Sequence, residues 1–174
     1  MRKTTRLLIL RRLAFALIIL AVNILQNTKG FFPEVFGVRA FLLIPLIVSI
    51  GMFERSYAGA LLGVFAGALW DSATPFWDGY NALFLMVAAS VCGLLINVLM
   101  RNHLVTALIL SGGTCLLYSF MYVMIFIVTR GLDSPDFLLF RYYLPSALYS
   151  FLFTPVFYII VRAIMRKTTV EEKY

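Results

Sequence analysis

The stretch GVFAGALWDSATPFWDGY, Gly63 to Tyr80, decides how the rest of the chain is read. With Gly59 ahead of it, glycine recurs at every fourth position (Gly59, Gly63, Gly67). Two Trp-Asp pairs follow, Trp70-Asp71 and Trp77-Asp78, on either side of Pro75, and then Gly79. On a helix, four-residue spacing places small side chains on one face, where they form a smooth stripe. Such a stripe lets a second backbone approach closely, which is how helices associate in lipid. Two uses are open to it: packing inside the protein's own bundle, or docking a partner's transmembrane helix.

Outward from this stretch the chain is apolar. Of 174 residues 62% are hydrophobic and 13% charged, against about 25% charged in a soluble domain. The composition predicts an all-α, polytopic membrane protein forming one transmembrane domain over residues 1–174. Six spans are expected: Leu13–Gln26, Ala40–Met52, Tyr57–Trp70, Tyr80–Met100, Leu104–Thr129 and Tyr143–Met165. The second and third are short, since fourteen helical residues reach about 21 Å against a hydrocarbon layer of about 30 Å. They read as a hairpin folded at Glu54-Arg55, its ends sunk below the interface and shielded by neighbours. Four full spans plus a re-entrant hairpin is the alternative. The fifth span is expected to tilt or kink near Ser111-Gly112-Gly113, and Pro145 and Pro155 to bend the sixth. The first has a basic start without a small-x-small cleavage site, and is read as a retained helix rather than a signal.

Lysine and arginine set the expected orientation. Eleven fall on one side of a six-span chain (Arg2, Lys3, Arg6, Arg11, Arg12, Arg55, Arg101, Arg162, Arg166, Lys167, Lys173). Four fall on the other (Lys29, Arg39, Arg130, Arg141). Both termini are therefore expected in the cytoplasm. The net charge of +7 reads as anchoring beside an anionic lipid leaflet, not as nucleic-acid binding. Cys92 and Cys115 lie within spans, which argues against a disulfide, and the single histidine, His103, reads as a solvated loop residue. No metal site, cofactor or enzyme signature is expected.

Asp71 ends a helix running outward, where the macrodipole disfavours negative charge. It reads either as a membrane-embedded functional carboxylate or as a cap of the turn Asp71-Ser72-Ala73-Thr74-Pro75. Asp78, just before Gly79 and the fourth span, reads as that helix's N-cap. Trp70, Phe76, Trp77 and Tyr80 are expected to form an aromatic belt at the outer interface. Asn23, Gln26 and Asn27 cluster at the outer end of the first span, and Asn97 lies near the inner end of the fourth. Ser111-Gly112-Gly113-Thr114 makes a small polar centre, and Thr154 is placed to bond a carbonyl freed by Pro155.

The pattern Gly63-x-x-x-Gly67-x-x-x-Asp71, followed by Gly79-Tyr80-Asn81-Ala82-Leu83, resembles the rod shape-determining protein MreD family. The resemblance is specific between about Glu54 and Asn97, although the Trp- and Phe-bearing loop is bulkier than a glycine-rich one. It implies a non-enzymatic subunit of the bacterial cell-elongation machinery in the cytoplasmic membrane. It implies binding to the bitopic protein MreC, and through it a link between MreB filaments and peptidoglycan synthases. Read from the residues themselves, Gly59, Gly63 and Gly67 are packing or docking residues, and Asp71, Trp77, Asp78 and Gly79 are candidates at the outer loop. Span number and size are also similar to the substrate-binding subunits of energy-coupling-factor vitamin transporters. Those subunits carry a first-helix alanine ladder that Ala14, Ala16 and Ala21 do not reproduce.

Overall fold

The computed structural model describes residues 3–28, 38–54, 56–73, 79–128, 137 and 139–168. Among the described residues seven α-helices follow in order: α1 (Lys3–Asn27), α2 (Leu43–Phe53), α3 (Ser56–Ser72), α4 (Tyr80–Val98), α5 (Leu104–Tyr122), α6 (Leu144–Leu152) and α7 (Thr154–Thr168). Single π-helical stretches, Val123–Val128 and Leu139–Tyr143, extend α5 and lead into α6. Among the described residues three helices are long and apolar enough to cross a membrane: Arg6–Asn27, Tyr80–Val98 and Leu104–Phe126. Leu139–Leu152 and Thr154–Thr168, bent by 41° at their junction, make a fourth if they are one span. The break at Phe153 precedes Pro155, whose ring and missing N–H stop the incoming helix. The fifth span has no break at Ser111-Gly112-Gly113. α5 runs unbroken through those residues, and the irregularity falls in the π-helical turn after Tyr122.

The organising element is α2. Its sequence, LIPLIVSIGMF, is apolar on every side, and a helix of that kind belongs in the centre of a bundle. Leu43 to Met52 are all buried, and α2 touches each of the other six α-helices. Eleven residues span only about 16 Å, so both ends stop inside the molecule, where orphan backbone groups need partners. Gln26 Oε1 accepts from Leu43 N at 3.0 Å, and Ile44 N donates to the Phe41 carbonyl. Pro45 has no N–H to satisfy. At the other end Asn102 Nδ2 donates to the Met52 carbonyl at 3.1 Å. Just before the helix, Phe41 N donates to Ser150 Oγ of α6.

The polar residues expected to glue or line the bundle are thus assigned. Gln26 caps α2, Asn23 Nδ2 donates to the Leu69 carbonyl near the end of α3, and Asn97 is exposed. Thr154 does not reach a carbonyl freed by Pro155; its hydroxyl donates to Ser111 Oγ at 2.8 Å, tying α7 to α5. The outer surface is apolar instead: Leu13, Leu17, Leu83, Val91, Ile109, Phe120 and Ile159 are all exposed. Large apolar side chains outside and hydrogen-bonded polar ones inside fit a multi-pass membrane protein surrounded by lipid.

Candidate functional site

Gly59, Gly63, Gly67 and Asp71 are spaced by four residues and lie on one face of α3, and that face is covered by α4. A methyl group on Gly63 would stand 2.5 Å from the Leu85 carbonyl oxygen, and one on Gly67 would collide with the backbone of Asn81 and Ala82. Gly59 is less tight, its nearest neighbour being the Cα of Gly51 at 3.3 Å. Gly51 and Gly93 extend the seam: a methyl on Gly51 would meet the Ala89 carbonyl at 2.7 Å, and one on Gly93 the Gly51 carbonyl at 3.0 Å. The stripe therefore packs within the bundle, and its groove is filled by the chain itself.

The close approach at Gly67 is what lets Asp71 act. One turn further along the same face, its carboxylate meets the start of α4. Asp71 Oδ2 accepts from Ala82 N at 3.0 Å, and Oδ1 from Asn81 N at 3.3 Å and Asn81 Nδ2 at 2.9 Å. These amides belong to the first turn of α4, whose N-terminal donors have no partner within the helix. The charge is thus moved from the unfavourable C-terminal end of α3 to the favourable N-terminal end of α4. Asp71 thus supplies a cap to a neighbouring helix; Thr74 and Pro75 of the turn it was also expected to cap lie outside the described residues. The residue at the N-cap position of α4 is Gly79, with φ at 66° and no side-chain cap bond. That left-handed conformation favours glycine. Trp77 and Asp78 lie outside the described residues, as does Phe76.

Asn81 passes the connection on. Its Oδ1 accepts from Tyr118 Oη at 2.8 Å, so α3, α4 and α5 are joined through buried side chains. The Tyr118 ring stacks on Trp70, with centroids 5.4 Å apart and planes at 22°. Phe41 and Phe84 approach it edge-on at 5.2 and 5.1 Å, and Tyr80 packs beside it. Trp70 and Tyr80 therefore do not form an interfacial belt. Trp70 is buried, and both belong to an internal aromatic cluster that keeps water from the Asp71 network. Such shielding strengthens each hydrogen bond and raises the penalty for breaking one.

At the opposite end a second buried charge is paired. Arg11 Nε lies 2.6 Å from Glu54 Oε1, and Arg11 Nη2 donates to Oε2 at 3.0 Å. Arg11, counted from sequence among the anchoring residues, instead neutralises a carboxylate that is 5% exposed. The pair joins residues 43 positions apart. Its signal in the sequence is that Glu54 is the one acidic residue between Glu34 and Asp71, in a segment otherwise made of apolar spans. His103 is exposed, as its loop position predicts. Among the described residues no group of three or more His, Cys, Asp or Glu side chains could hold a metal ion.

The chain matches the family model for the rod shape-determining protein MreD over residues 1–168. It belongs to the MreD family. No curated protein and no solved structure matches it. Membership of the MreD family carries a role in determining rod shape, and the family is one of structural proteins. Within this MreD-family chain the quoted motif acquires a physical meaning: the glycines bring α4 against α3, and Asp71 fastens its end.

Proposed function

We propose that the chain is a non-enzymatic scaffold of the bacterial cell-elongation machinery. It sits in the cytoplasmic membrane and binds the transmembrane anchor of an MreC-like bitopic protein, linking MreB filaments on one side to peptidoglycan synthases on the other. The observation that carries this reading is the family match across nearly the whole chain. The packing supports it: the polar interior is spent on internal caps and ties, which suits a rigid part better than a reacting one. Because α4 fills the glycine groove, a partner helix meets α3 on its other side, at Tyr57, Leu61, Val64 and Phe65, all exposed. Trp77, Asp78 and Gly79 are proposed to take part in the same contact.

In this proposal the chain makes six passes as one domain, with α2 and α3 as the short ones. The reading is supported by contacts at two ends of the bundle. Arg11–Glu54, Asn102–Met52 and Tyr158–Asn102 gather at one end, and Gln26–Leu43 and Asp71–Asn81 at the other. The eleven-to-four distribution of Lys and Arg supports a cytoplasmic position for the first of these ends. The vitamin-carrier reading, suggested by span number and size alone, has no observation in its favour.

The test is depletion in a rod-shaped host, with photo-crosslinking residues placed at Leu61 and Val64. Rounded, widening cells and capture of a bitopic membrane protein are expected. Normal shape on depletion, together with a vitamin bound to the purified chain, would overturn the proposal.

A further inference from the structure

We infer that a cleft between the start of α1 and the end of α2 binds the phosphate of an anionic phospholipid. The cleft encloses about 400 Å³ and is lined by Leu8, Arg11, Arg12, Phe53 and Glu54. Its electrostatics follow from the ion pair already described. Glu54 holds Arg11 through both carboxylate oxygens, so the two charges cancel locally. Arg12, exposed beside them, leaves the cleft with a net positive charge. A guanidinium carries five N–H donors in a fixed fork. Glu54 holds Arg11 in an ion pair with a hydrogen bond from Nη2, and the exposed Arg12 offers its donors to an anion with several acceptor oxygens. Arginine forks match phosphate oxygens in pairs, which a compact ammonium cannot do.

The walls narrow the ligand further. Leu8 and Phe53 give the cleft an apolar side, which a free phosphate ion would leave uncovered. An amphiphile with a phosphate head and a hydrocarbon body covers both. The position agrees: Arg11 and Arg12 lie inside the span Arg6–Asn27, about 8–9 Å from its end, a depth from which a long arginine side chain extends to the headgroups. The inference rests on the multi-pass membrane reading and is independent of any partner protein.

The experiment uses the full chain, purified in neutral detergent, with phosphatidylglycerol or phosphatidylcholine added and bound lipid counted by native mass spectrometry. A basic side chain near anionic headgroups is worth about fivefold in binding. The expected result is a preference of about that size for phosphatidylglycerol. Arg12→Ala abolishes it without changing the melting temperature in lipid-free detergent. Arg166→Ala, which removes an exposed charge from the end of α7, preserves it. If Arg12→Ala melts lower, Arg12→Gln, which keeps much of the side chain's reach, is judged by the same criteria. Equal retention of the two lipids would overturn the inference. So would equal loss of preference in the Arg12 and Arg166 variants, which would indicate diffuse attraction. Full competition by soluble glycerol phosphate would show a free-phosphate site and overturn the lipid assignment.

Discussion

The carboxylate of Asp71 accepts a hydrogen bond from the backbone amide of Ala82 at 3.0 Å, although eleven positions and a loop separate the two residues. The bond exists because Gly67, one turn before Asp71, has no side chain to hold α4 away. Spacing and charge thus work as one device. The glycines set the distance between two helices, and the aspartate satisfies the donors that this distance brings within reach.

Removing the acceptor strands buried amides, each costing about 1–3 kcal/mol. Asp71→Ala is expected to destabilise the protein by about 2–3 kcal/mol. Asp71→Asn, which keeps one oxygen but turns an amide group toward other donors, is expected to cost about 1–2 kcal/mol. Asp78→Asn should be close to neutral, because Gly79 and not Asp78 occupies the N-cap position of α4. Thermal melting in detergent gives the order. A stable Asp71→Asn variant that fails to restore rod shape would assign the charge a role beyond capping.

The glycines are expected to differ by position. Gly67→Ala and Gly63→Ala force a methyl into the backbone of α4 and should each cost about 1–3 kcal/mol, the usual range for overpacking. Gly59→Ala meets its nearest atom at 3.3 Å and should be milder. Gly113→Ala meets nothing within 4 Å and should stabilise α5 by up to about 1 kcal/mol through helix propensity. A flat response across the four variants would show that the α3–α4 seam does not limit stability.

The Arg11–Glu54 pair predicts strong coupling. Breaking a buried pair from one side leaves an uncompensated charge and typically costs about 3–5 kcal/mol. Glu54→Gln and Arg11→Met should each approach that loss, with Glu54→Gln the milder because the amide still accepts from the guanidinium. The double variant should recover much of it, because no charge then remains buried. Strict additivity in the double-mutant cycle would mean that the two side chains do not pair in the membrane.

Topology can be read by thiol labelling in a background lacking Cys92 and Cys115, both of which are buried. Cysteines at positions 76 and 133 should react with an impermeant reagent applied from outside, and one at position 101 only after the membrane is opened. External labelling at 101 without labelling at 76 would reverse the orientation.

Much of this protein was legible without coordinates. Composition and run length sufficed for a helical membrane protein. The four-residue glycine rhythm marked a close-packed face, and the motif around it pointed to the family. These properties are local: they depend on side-chain type and helical periodicity, which a linear reading preserves. The tertiary structure decided what each polar residue meets. It put Glu54 on Arg11, Gln26 on the start of α2, Thr154 on Ser111, and Asp71 on the first turn of α4. It also turned Trp70 inward onto Tyr118, where the sequence suggested an interfacial belt. Those pairings depend on the rotation and depth of each helix. Lipid leaves both nearly undetermined, because one apolar face is solvated by hydrocarbon as well as another. Packing around α2 fixes them, since a helix too short to reach either surface can be buried only where its neighbours supply partners for both of its ends.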